Sequence, residues 1–257
     1  MTEFNKTIKK SPKIITLLFG VLCLAICLSF AELFSSLITV GGFYNTSKDN
    51  TIKQNSFSLY AISVFSTETK IQAKEMSELI RRKNGAGYIW QTDKNYLVLT
   101  SCYENEADAQ KVSNNLKESN TDNQIIKIDF DSITIKTSTV EQEKSTLENS
   151  VQSYKNLYKK LYDLSVSVDT NLLSEIKAKV DLSVITSDFA KTKSSFESLF
   201  NSRLTSSLLE LKLSLNNVSN MLSELSDFSS NEIPYTSQIK YTYFQILDEY
   251  KSLAKNL

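Results

Sequence analysis

The residue types that carry most enzyme chemistry are scarce in this chain. It has no histidine, and its three cysteines are Cys23, Cys27 and Cys102. Without imidazole there is no Ser-His-Asp or Cys-His nucleophile and no His-ligated metal site. Two cysteines inside one apolar stretch and one elsewhere make neither a disulfide framework nor a CxxC metal knuckle. Glu104 and Glu106 fall where a helix is predicted to begin, so the helix dipole already accounts for them. No other carboxylate pair suggests acid–base work. The chain therefore reads as a non-enzyme with no cofactor and no metal. What remains is recognition chemistry. Tyr88 and Trp90, two apart in a short β-type run, project to one side of a strand. They either stack on a sugar ring or pack as ordinary apolar residues.

Charge narrows the ligand class further. Lys plus Arg (29) balances Asp plus Glu (29), so no overall field draws nucleic acid. The run "NYLVLTSCY" also lacks the basic residue, glycine and spaced aromatics of an RNA-binding strand.

Gly (5) and Pro (2) are too few for a many-turned β fold, which favours long helices. Leu59–Phe65 reads as a strand, Thr67 as a helix N-cap, and Ala73, Met76, Leu79 and Ile80 as helical spacing up to Asn84-Gly85. Gly87–Trp90 and Tyr96–Cys102 are strands around a turn at Asp93-Lys94-Asn95. Glu104–Ser119 repeats the helical pattern through Ala107, Ala109, Val112 and Leu116, and Ile125–Phe130 is a last strand. The order is βαββαβ, a four-stranded sheet with both helices on one face. Strand alternation sends Tyr60, Ile62 and Val64 to one face and Leu59, Ala61 and Ser63 to the other. Tyr96, Val98 and Thr100 likewise oppose Leu97, Leu99 and Ser101.

"YAISVFSTETKIQAKEMSEL" and "YLVLTSCYENEADAQKVSNNL" are two halves of one pattern. Each runs through a strand to an aromatic residue (Phe65, Tyr103), a polar stretch, and a helix with an inward alanine (Ala73, Ala109). Tyr96 and Val98 complete the likeness. On these residues the segment 57–130 resembles the SPOR domain. That resemblance implies a ferredoxin- or RNP-like fold that binds septal peptidoglycan, preferring glycan strands stripped of stem peptides. It also implies a role at division or sporulation septa. Where the family often carries Gln, Gly and Arg, this chain has Ala61, Ser63 and Leu97. The implied binding face is Leu59, Ala61, Ser63, Tyr88, Trp90, Leu97 and Leu99. Its aliphatic character suits a surface covered by protein better than one reading sugar. Glycan binding and a structural scaffold that binds protein partners through this face and the helical region are thus both expectations.

Residues 1–13 read as a cytoplasmic tail and 14–40 as a transmembrane helix, with Lys6, Lys9, Lys10 and Lys13 setting the orientation. A signal peptide cleaved after Ser29-Phe30-Ala31 is the alternative. The expected location is the bacterial cell membrane, single-pass, with residues 41–56 a linker, 57–132 the SPOR-like domain outside, and 139–257 helical. Heptad spacing runs through Leu147, Val151, Tyr154, Tyr158 and Leu161, through Leu204 to Leu225, and through Ile239, Tyr243, Ile246, Tyr250 and Leu253. A weaker seam holds Leu172, Leu173, Ile176 and Val180. These seams predict an antiparallel bundle, or a coiled coil joining a partner or a second copy. The expected fold class is α+β: a membrane helix, a βαββαβ domain, then helices.

Overall fold

The computed structural model describes residues 48–257. Its strands are β1 (Lys48–Gln54), β2 (Phe57–Thr67), β3 (Tyr88–Gln91), β4 (Tyr96–Tyr103), β5 (Gln124–Phe130) and β6 (Ile133–Thr139). Its helices are α1 (Lys70–Arg82), α2 (Glu106–Glu118), α3 (Glu141–Asp169), α4 (Glu175–Phe200), α5 (Ser206–Ser226) and α6 (Tyr235–Asn256).

β2 to β5 make an antiparallel sheet in the order β3-β4-β2-β5, with α1 and α2 packed on it. This is the split βαβ arrangement, in which the first and third strands of the unit lie side by side. Ala73 and Ala109 are wholly buried, as are Ile62 and Val98 beneath the helices. An alanine at each contact lets a helix backbone approach the sheet closely.

The two halves repeat each other more deeply than their strands suggest. Four residues after each alanine stands a buried serine that ties its helix to the start of the next strand. Ser77 Oγ donates to the Gly87 carbonyl, and Ser113 Oγ donates to Asn123 Oδ1 at 2.6 Å. Each helix also ends at an asparagine of positive φ, Asn84 (67°) and Asn120 (56°). The residue after each closes a 6→1 bond, Gly85 N–H to Ile80 O and Thr121 N–H to Leu116 O, both 2.9 Å. Gly87 (φ +61°) is required where it stands, because a Cβ there would lie 2.4 Å from the Ser77 carbonyl oxygen.

Residues 41–56, expected to be a linker, contain β1, which pairs antiparallel with β6 from Lys48↔Thr139 to Gln54↔Ile133. Ile52, Ile133 and Ile135 from this ribbon are buried.

α3, α4, α5 and α6 form a ring of neighbours in which α6 closes back on α3. The connections 170–174 and 201–205 are short, so successive helices run antiparallel. The predicted seams of α3, α5 and α6 face the interior, with only Leu204, ahead of α5, partly exposed. The fourth seam does not. Leu172, Ile176 and Val180 are exposed, and α4 instead buries Ala178, Leu182, Ile185, Phe189, Phe196 and Phe200. Ala178 and the three phenylalanines mark a face turned well away from the stripe read in the sequence. Leu173 is half-buried.

The expected fold class and location need correcting. Among the described residues no helix is long and apolar enough to cross a membrane. The reason is amphipathicity: even the 29-residue α3 carries lysines and glutamates along one face. The expectation of a single-pass protein of the bacterial cell membrane with a cytoplasmic N-terminus is not supported. Residues 1–13 and 14–40, on which it rested, lie outside the described residues.

Candidate functional site

The residues expected to line a ligand face do share one face. Register places Leu59 opposite Ile128, Ser63 opposite Leu99, Tyr88 opposite Leu99 and Trp90 opposite Leu97. Paired residues in an antiparallel sheet lie on the same side, so Tyr88 and Trp90 join the leucines. Irregular register between Ile62 and Phe65 shifts the far end of β4 by one residue. Cys102, opposite Ala61, therefore faces the same way as Leu99, where simple alternation would have put Ser101.

This face is closed. Leu59, Ala61, Ser63, Tyr88, Trp90, Leu97 and Leu99 are all buried, and the six apolar ones merge with the bundle interior into one core. The cover is α6, helped by α3. Tyr88 lies parallel to Phe244 (centroids 5.5 Å apart, 14°) and tilted against Tyr241 at 5.3 Å. Its hydroxyl donates to Asp248 Oδ2 at 2.8 Å. Lys251 Nζ sits 4.6 Å from the Trp90 ring centroid. Phe57 and Phe130 stack on each other at 4.7 Å, and both meet Tyr250. From α3, the Tyr158 hydroxyl donates to the Cys102 carbonyl at 3.4 Å.

A polar clamp fastens the start of α6 to the α1–β3 turn. Ser237 Oγ donates to Gly85 O at 2.6 Å, and Lys240 Nζ to Asn84 O at 2.8 Å. Lys240 also pairs with Asp169 at 2.6 Å, while Asn84 Nδ2 donates to the other Asp169 oxygen at 2.8 Å. Thr236 bonds Asn84, and Arg81 bonds Gln238 while lying over Tyr241. None of these clamp residues was expected from sequence as part of the site. The one available signal was Asn84-Gly85, a helix stop whose carbonyls are left free by an αL turn.

α6 thus carries two seams. Ile239, Tyr243, Ile246, Tyr250 and Leu253 serve the bundle, while Tyr241, Phe244, Asp248 and Lys251 meet β3.

Burial sets the protonation of this core. Loss of solvent, reinforced by the nearby Asp248 carboxylate, pushes the Tyr88 hydroxyl up, so it stays a donor. Burial likewise pushes Tyr250 up to about 12, Cys102 up to about 12, and Tyr154, Tyr158 and Tyr243 upward. These groups stay protonated in the fold at pH values where the unfolded chain has begun to release its protons. The tyrosines' contribution is complete below about pH 10 and that of Cys102 below about pH 9, their ordinary values, and each is lost as pH rises through the folded value. The urea midpoint is expected to fall steadily between about pH 10 and 12. A midpoint flat across that window would contradict the buried-tyrosine core.

Open surface exists elsewhere. Between α2 and the β2–β5 edge lies a cleft of about 440 Å³ lined by Tyr60, Glu106, Gln110, Ser113, Lys117, Ile125 and Lys127. Among the described residues no group of three or more His, Cys, Asp or Glu side chains is placed to hold a metal ion.

No family model matches the chain, and no curated protein matches it. Among solved structures, the peptidoglycan-binding domain of the B. subtilis cell wall lytic enzyme CwlC, a solution structure, is similar over 29% of this chain and 95% of that domain. The identity is 17% and the TM-score 0.26.

Proposed function

We propose that this chain is a non-catalytic structural scaffold, in which a SPOR-like βαββαβ unit uses its helix-free face to hold its own helical bundle. The observation that carries this reading is the burial of Leu59, Ala61, Tyr88, Trp90, Leu97 and Leu99 beneath α6. A glycan-reading face needs exposed rings with hydrogen-bond donors and acceptors beside them. Here the Tyr88 ring is committed to Phe244 and the Trp90 ring to Lys251. The outer surfaces of the bundle are then what partner proteins would meet.

A second reading keeps peptidoglycan, as denuded glycan strands at division or sporulation septa, but moves it to the α2–β5 cleft. Gln110, Glu106, Lys117 and Lys127 beside the Tyr60 ring supply the polar groups that a sugar needs.

Co-sedimentation of the full chain with purified sacculi, with and without amidase removal of stem peptides, separates the two. The scaffold reading expects the chain to stay in the supernatant in both cases. Binding that Gln110→Ala with Lys127→Ala abolishes would establish the cleft instead.

A further inference from the structure

α4 leaves part of its surface unmatched within the chain. Leu172, Ile176, Val180 and Val184 are 81%, 79%, 58% and 57% exposed. Single exposed apolar residues need no explanation, but Ile176, Val180 and Val184 follow one another at intervals of four along one side of α4, and Leu172 precedes them in the 170–174 connection. They lie away from the face that packs into the bundle through Ala178, Leu182 and Ile185. The apolar stretch is confined to the first half of α4. Farther on, the same side continues as the exposed Ser187, Lys191 and Ser194.

The flanks of the stripe say what fits it. On one side stand Glu175 and Lys179, acid then base; on the other stand Lys177 and Asp181, base then acid. A helix laid on this stripe in the opposite direction meets each flank in reverse order. If that helix is the same helix, each acid falls beside the base of its own flank in the other copy. That is the self-complementarity an isologous two-fold contact requires, and an unrelated partner would have no reason to share it.

We propose that this stripe is a self-association surface on which α4 of a second copy of the chain docks antiparallel, about a two-fold axis between Ile176 and Val180. Ile176 then packs beside Val180 of the second copy, and Val184 lies toward the second copy's 170–174 connection, which carries Leu172. Lys177 of each copy faces Asp181 of the other. Glu175 and Lys179, which pair within the helix at 3.1 Å, form the second flank. The apolar strip is short against the roughly 800 Å² per partner of a standard interface. The dimer is therefore weak and concentration-dependent.

Sedimentation velocity of the full chain over a concentration series tests this. The wild-type boundary should shift from monomer toward dimer as concentration rises. Ile176→Glu with Val180→Glu, both at exposed positions, should hold the monomer throughout while leaving the thermal melt unchanged. Lys177→Glu places two acids together twice per dimer and should weaken association several-fold. Adding Asp181→Lys to it should restore association. A wild-type chain that stays monomeric, or an oligomer unaffected by the glutamate pair, overturns the proposal. So does a dimer indifferent to Lys177→Glu.

Discussion

A chain ending before Pro234 is expected to lose its cooperative melt and to bind a dye that reports exposed apolar surface. α6 contacts the sheet through β3 and β5 and the bundle through α3 and α5. Its removal uncovers Leu59, Ala61, Trp90, Leu97 and Leu99 on the sheet at once. The inward seams of α3 and α5 lose their neighbour in the same step. Contiguous apolar surface of that size is not tolerated by soluble monomers. The clamp on the α1–β3 turn goes too, leaving Asp169 and the Asn84 and Gly85 carbonyls without Lys240 and Ser237. Thermal unfolding with light scattering is the measurement. A truncated chain that melts as sharply and as late as the full one would show that α6 is an appendage and not a core element.

Tyr250→Ala is the single substitution with the largest expected cost, about 3–5 kcal/mol. Tyr250 is fully buried and its ring meets Phe57, Phe130 and Tyr154, so it joins α6 to β2, β5 and α3 at one point. Alanine leaves a cavity bounded by three aromatic rings on three separate elements, which limits how far the site can collapse. For a domain of this size the melting temperature should fall by roughly 6–20 °C. Tyr250→Phe is the companion. It gives up only the hydroxyl bond to the Asp131 carbonyl (3.2 Å), worth about 1 kcal/mol. Urea denaturation of both variants decides the matter: similar losses from Ala and Phe would place the energy in the hydrogen bond and not in the packing.

The parts of this architecture that could be read from sequence are those fixed by local pattern. Alternation in Leu59–Phe65 and Tyr96–Cys102 corresponds to β2 and β4, and the leucine and tyrosine seams lie inside α3, α5 and α6, because each depends on neighbours along the chain. The β1–β6 ribbon was hidden. β1 has one buried apolar side chain, Ile52, among polar residues, and its partner Ile135 lies far along the sequence. The irregularity that turns Cys102 inward breaks the alternation rule at the far end of β4, where Ser101 was expected on that face. The α4 stripe has helical spacing, but a seam does not say whether its partner lies in the same chain. The site residues share a face as alternation and pairing dictate. Their cover was beyond reach, because the residues of α6 that meet β3 sit outside its heptad.

That cover has a consequence for how the protein is made. Tyr88 and Asp248, which meet across the sheet–α6 contact, are 160 residues apart. Translation adds about 5–20 residues per second, so the sheet's strands leave the ribosome about 8–30 s before the helix that shelters them. For that interval Trp90, Leu97 and Leu99 have their partners in the sheet but not their cover from α6. Delivery of the nascent chain to a holding chaperone, and slowing of translation after β5, should therefore affect its yield more than any change made to the finished fold's surface.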